Sequence, residues 1–178
     1  MAHLLERWHG WVLGRVEALR GAYCHTTGRG EDGDAFASDA FGVAAIALGA
    51  ALVLPLPHGP GAAVALGWGA LNMAAAVVAA TSRRLRDRMR ANWAILVLAD
   101  LSIALAVYDA ASLAWGPSGL GAGVWLAGTV ATAAGNAAWA VGCYAVQLLP
   151  PTRRRETLPE RLRQRFAMFE PAPAGEGG

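Results

Sequence analysis

Asp39, Asn72, Asp100, Asp109 and Asn136 stand inside long apolar stretches, and they are the side chains whose type and depth could do chemistry. Asp100 is the deepest of the acids. Counted from Ala91 at about 1.5 Å per residue, it lies roughly 13 Å along its helix, near the middle of a hydrocarbon layer about 30 Å thick. An aspartate there costs about 2.5 to 3.5 kcal/mol on the insertion scale. It must be protonated, hydrogen-bonded or open to a wet cavity. Asn72 and Asn136 reach similar depths from their own helix ends and are its expected neighbours. One chemistry is a proton or cation site. The other is a neutral Asp100 hydrogen-bonded to one of the two amides, locking helices together. No apolar run carries a basic partner for the acid, which favours the locking role.

Asp39 falls near the start of its helix, where a carboxylate meets the positive end of the helix dipole. Asp109 falls near the far end of its own. Both are read as interfacial. Nine residues separate Asp100 from Asp109, about half a turn around a helix, so one site cannot hold both.

Other chemistry lacks its residues. His3, His9, His25 and His58 all lie outside the apolar runs, which excludes a haem held by two helix histidines within the chain. His3 and His9 are not at same-face spacing, and the adjacent Cys24 and His25 are too few for a zinc site. Cys24 and Cys143 form no C-x-x-C pair. The sequence holds no P-loop, no G-x-S-x-G elbow and no channel filter motif. Four-helix quinone reductases carry paired cysteines, and small multidrug exporters carry a glutamate in their first membrane helix; neither feature is present. No catalytic residue, metal ligand or cofactor is assigned, and the chain is read as not an enzyme. Bound lipid or pigment is compatible with the seven tryptophans.

The elements that must position these polar groups are apolar helices. Hydrophobic residues make up 55% of the 178 residues and charged ones 16%, against about 25% charged in soluble domains; mean hydropathy is +0.35. Four runs, at about 35–56, 62–81, 91–115 and 120–149, are each long enough to span a bilayer as a helix. They lack the two-residue alternation of barrel strands and are rich in alanine, a helix former. The spacing predicts an all-α integral membrane protein: a four-transmembrane-helix antiparallel bundle, residues 35–149, between a cytoplasmic segment, 1–34, and a cytoplasmic tail, 150–178. The opening residues mix charges and aromatics and do not read as a signal peptide.

Topology follows from arginine. All 15 basic residues are arginine. They fall in the N-terminal segment, in a cluster from Arg83 to Arg90, and in the tail; the turns around Pro57 and Pro117 have none. The positive-inside rule then places both termini and the middle loop in the cytoplasm. Arginine with abundant alanine and glycine and no lysine suggests a GC-rich bacterial genome, hence a bacterial inner membrane.

Both flanks read as amphipathic helices. Leu4, Leu5, Trp8, Trp11, Val12, Val16 and Leu19 recur at helical spacing in the first. In the tail, a stripe of Leu158, Leu162, Phe166 and Phe169 defines a helix at about 158–169, opened by a Thr157–Glu160 capping box. Such helices either lie among headgroups or dock on a neighbouring protein. Within the fourth run, Gly121, Gly123, Gly128, Thr132, Gly135, Ala138 and Gly142 offer the small residues that membrane helices use for close approach.

The expected function is a non-catalytic accessory or assembly subunit of a larger bacterial membrane complex, with a photosynthetic or respiratory energy-converting one as the first expectation. Its partners are the lipid bilayer and other membrane subunits, not nucleic acid. The alternative is a small oligomeric transporter or channel for protons or cations, using Asp100.

Overall fold

The computed structural model describes residues 2–28, 33–54, 60–90, 92–116 and 121–149, and those residues form helices and short connections with no strand. The chain is all-helical: α1 (Ala2–Thr27), α2 (Gly33–Val53), α3 (Pro60–Thr81), α4 (Arg83–Arg90), α5 (Ala94–Ser112, continued by a 3-10 turn, Leu113–Trp115) and α6 (Ala122–Gln147). Two of the segments, Gly33–Val53 and Ala94–Trp115, are long and apolar enough to cross a membrane, each with a mean hydropathy of 1.9. The tail with its predicted helix at 158–169 and the turn around Pro57 lie outside the described residues.

Local chemistry sets the helix ends. α1 stops at Gly28, whose φ of 66° is the left-handed conformation that glycine adopts without a Cβ penalty; its N–H returns to the Cys24 carbonyl at 3.0 Å. α2 begins at Gly33, two residues ahead of the expected start, with Asp34 in its first turn. Proline opens α3, where its missing N–H costs nothing. Ser82 separates α3 from α4 and accepts the Leu85 N–H on its hydroxyl at 3.3 Å, the N-cap arrangement. The arginine cluster, read as a loop from sequence, is therefore a helix.

Four long helices lie side by side, and the extensive contacts run in the order α3–α2–α6–α5. The end members, α3 and α5, share no comparable contact among the described residues, so the arrangement is a row. Neighbours in the row are antiparallel. Along the α2–α6 contact, Gly142 meets Phe41, Gly135 meets Leu48 and Gly128 meets Leu54, one number rising as the other falls. The three glycines repeat every seven residues, the period that keeps one seam of two slightly supercoiled helices in register. A Cβ built on Gly135 would come within 2.6 Å of Leu48 Cγ and 3.2 Å of its backbone nitrogen. This is the closest approach along the seam, and it requires glycine. The hydroxyls of Thr132 and Ser102 bond along their own helices, to the Gly128 and Leu98 carbonyls, both at 2.9 Å, which satisfies these two without a partner across the interface.

α1 packs across one side of the row near the end where α2 begins. It touches α6 and α2 along its length and buries Val12 and Val16 in the common core with Phe41, Trp139, Cys143 and Tyr144. At the same end α4 packs on α3 and α6, and Met89 is buried there.

Candidate functional site

The Asp100 carboxylate is the meeting point of three elements. Its Oδ1 accepts a 2.6 Å hydrogen bond from the Tyr144 hydroxyl of α6 and a 2.9 Å bond from Trp8 Nε1 of α1. Its Oδ2 lies 2.9 Å from His9 Nε2. The imidazole also stands edge-on to the Tyr144 ring, with centroids 6.1 Å apart. The Asp100 and His9 side chains are about a quarter exposed, so the cluster sits at the surface of the row under α1. Placement follows from helix geometry. Trp8 and His9 are consecutive on α1, so their side chains reach the two carboxylate oxygens from adjacent positions around the helix. Beyond them Trp8 stacks on Trp11, centroids 5.6 Å apart, and the Arg15 guanidinium lies 5.5 Å from the Trp11 ring centre, a cation–π arrangement.

This corrects the expected surroundings of Asp100. Asn136 is buried on α6, but its Nδ2 approaches Asp109 Oδ2 at 3.4 Å rather than Asp100. Asn72, on α3 at the other end of the row, donates to the Trp68 carbonyl of its own helix at 2.9 Å. The physical reason is register: antiparallel α5 and α6 set Asp100 against Tyr144 and Asp109 against Asn136, eight residues and about 12 Å further along α6. Depth alone placed the three polar residues at one level; the lateral order of the helices separates them. Asp100 and Asp109 occupy different places along α5, and Asp109 Oδ2 meets Asn136 of α6. The basic partner that no apolar run supplies comes from outside those runs, as His9.

At the other end of α1, the Tyr23 hydroxyl donates to Asp39 Oδ2 of α2, and the Tyr23 ring packs on Phe36 with centroids 5.3 Å apart. Two aspartates on different helices of the row thus hold the two halves of α1. An apolar groove of about 600 Å³ runs between α5 and α6, lined by Ile103, Val107, Ala133, Ala137 and Val141, with Val12 and Val16 of α1 also in its wall.

A second polar cluster has no motif that marks it in the sequence. Arg86 of α4 is buried, 4% exposed. Its Nε and one terminal nitrogen donate to the two Asp34 carboxylate oxygens at 2.9 and 2.8 Å, the paired geometry that a guanidinium forms best. The other terminal nitrogen donates to the Ala79 and Ala80 carbonyls at 2.6 and 2.8 Å, capping carbonyls that the end of α3 leaves unpaired. Ser38 Oγ adds a bond to the Ala80 carbonyl at 2.6 Å. One side chain therefore joins the start of α2, the end of α3 and α4. The available signal was Asp34 opening an apolar run, which invites a cation, and Leu85 with Met89 at four-residue spacing in the arginine cluster.

The arrangement can clamp α1 onto the row at Asp100 and Asp39 and clamp the helix ends together at Arg86. It also sets a carboxylate–imidazole pair, Asp100 with His9, between α5 and α1. Compared with known proteins, the chain matches no family model, no curated sequence and no solved structure.

Proposed function

We propose that the protein is a membrane-embedded accessory or assembly subunit, in which a row of four antiparallel helices offers apolar flanks to lipid and to neighbouring subunits. The observation that carries the reading is the outward apolar surface of the row. Ile46 and Val53 on α2, Leu71 on α3, Val107 and Tyr108 on α5 and Leu126 on α6 are exposed, Val53 as much as 82%. The most apolar 18-residue stretch of Ala94–Trp115 combines a mean hydropathy of 1.9 with only 11% of its residues buried. A core helix of a water-soluble protein would be mostly covered by its own chain, whereas a bilayer leaves such a surface in an apolar solvent. A row also encloses no interior between its members, so this reading assigns the exposed surfaces to contact rather than to a passage. The arginine distribution then puts both termini and α4 on the cytoplasmic side.

Gentle extraction from the native membrane, native gel separation and mass spectrometry of what comigrates test it. A large assembly with a reproducible set of partners supports the reading. A band of this chain alone, as monomer or small oligomer, overturns it.

A second reading, a proton or cation transporter, draws on the Asp100–His9 pair and requires several copies to form a path. Asp100→Asn would then abolish flux in reconstituted vesicles while leaving assembly intact. In the accessory reading no flux exists to lose.

A further inference from the structure

We propose that Arg84 and Arg88 of α4 form a binding surface for the headgroups of anionic phospholipids, while Arg86 in the same cluster is structural. The inference rests on the membrane reading above and deepens it. Five of the eight residues of α4 are arginine, and the structure divides their work. Arg86 faces inward, is 4% exposed and spends its donors on Asp34 and on the Ala79 and Ala80 carbonyls. Arg83 lies 3.9 Å from the same Asp34 carboxylate. Arg84 and Arg88 are exposed. They are four residues apart, so they share a face of the helix, and each is two residues, roughly half a turn, from Arg86.

The position suits lipid. α4 directly follows the apolar helix α3 and directly precedes α5, at the end of the row where those two helices stop and start. Met89 and half-buried Leu85 hold it down against the helices. Trp93, at the start of α5, is 77% exposed, in keeping with the tryptophans that mark the headgroup level of membrane helices. A basic cluster next to a membrane helix attracts anionic lipid, and two guanidinium groups on one face present ten N–H donors' worth of fork geometry to phosphate oxygens at the depth where lipid phosphates lie. Asp87 is the acidic residue of α4, and it leaves the helix strongly net positive.

The full chain is reconstituted in nanodiscs made from an equimolar mixture of phosphatidylcholine and phosphatidylglycerol, and retained lipid is counted by native mass spectrometry after detergent release. With Arg84→Gln plus Arg88→Gln, retention of phosphatidylglycerol should fall by about five-fold per arginine, roughly 25-fold for both, and retention of phosphatidylcholine should not change. Added salt should reduce the wild-type preference in the same direction. The thermal midpoint of the double variant should match wild type, because both side chains are exposed; Arg86→Gln should lower it, which shows that the assay registers loss of a structural arginine. Equal phosphatidylglycerol retention by wild type and the double variant overturns the proposal. So does preferential capture of an RNA oligonucleotide over phosphatidylglycerol by the same two arginines. Failure of the underlying membrane reading has a different signature, release of the chain from vesicles by alkaline carbonate.

Discussion

Tyr144 of α6 donates a 2.6 Å hydrogen bond to the same Asp100 oxygen that accepts Trp8 Nε1 of α1. One carboxylate oxygen therefore couples the contact between two helices of the row to the docking of the helix that crosses them. The acid holds elements together by what it accepts, and the cost of placing it on an apolar helix is offset by donors from two directions.

Replacing Asp100 should loosen α1 before it disturbs the row. Asp100→Ala removes the acceptor of the Tyr144 hydroxyl and of the Trp8 indole at once. These two groups, with His9 Nε2 on the other oxygen, lose their partner at a partly exposed site, which predicts a destabilisation of about 1–3 kcal/mol. Asp100→Asn keeps one acceptor oxygen and should fall between wild type and alanine. Hydrogen exchange in detergent micelles checks this. Amides of residues 2–20 should lose protection in the alanine variant, with residues 122–147 little changed. Unchanged exchange in α1 would mean that the burial of Val12 and Val16 and the Tyr23–Asp39 anchor suffice to hold the helix.

The α2–α6 seam makes a separate prediction about volume. Gly135→Ala places a methyl 2.6 Å from Leu48 Cγ and 3.2 Å from a backbone nitrogen, and the backbone cannot give way as a side chain can. Overpacking of this kind costs about 1–3 kcal/mol. Gly142→Ala meets the Phe41 ring at 2.8 Å, which can tilt, so its cost should be smaller. Gly123→Ala meets nothing within 4 Å and serves as the neutral comparison. Thermal unfolding should rank the three in that order; equal midpoints would show that the two helices do not approach as closely as the seam implies.

The all-helical class was legible because apolar length is written directly in sequence, and alanine-rich runs bounded by Pro-Gly turns leave few alternatives. Lateral order was not. Counting residues from Ala91 gives the depth of Asp100, but nothing in the α3 or α6 sequences says that Asn72 stands at the far end of a row or that Asn136 is in register with Asp109. The cluster around Asp100 is not legible for a related reason: Trp8 and His9 lie on a helix whose pattern suits the headgroup layer or another protein equally well, and its docking face depends on the tertiary fold. Arg86 was hidden by its neighbours. Five arginines in eight residues look alike as a basic loop, and it is the fold that turns Arg86 inward, to 4% exposure, with Met89 buried nearby.

The Arg86–Asp34 pair should behave as a unit. Arg86→Gln leaves Asp34 short of its main partner and uncaps the Ala79 and Ala80 carbonyls, and breaking a buried pair from one side costs about 3–5 kcal/mol. Asp34 is about a fifth exposed, which brings the expected loss for Asp34→Asn below that for Arg86→Gln. The double variant should lose less than the sum of the two singles, and the shortfall in a double-mutant cycle measures the coupling. Arg86→Lys should fail to restore wild-type stability, because a single ammonium cannot reach both carboxylate oxygens and two carbonyls in the geometry of the guanidinium fork. Additive single-variant losses, measured by urea unfolding in micelles, would assign Arg86 to capping α3 alone.

The two cysteines give an internal gauge of the row's closure. Cys143 is fully buried on α6, in the same core as Phe41 and Tyr144, while Cys24 is partly exposed on α1. Both are free thiols, so a membrane-permeant maleimide should modify Cys24 readily and Cys143 only when the helices separate. Labelling of Cys143 should rise in Gly135→Ala, which pushes α2 from α6, and stay low in Asp100→Ala, which releases α1 but leaves the seam closed. Mass spectrometry of the labelled peptides distinguishes the two sites. Rapid labelling of Cys143 in the wild type would place α6 at an accessible surface and contradict its position between α2 and α5.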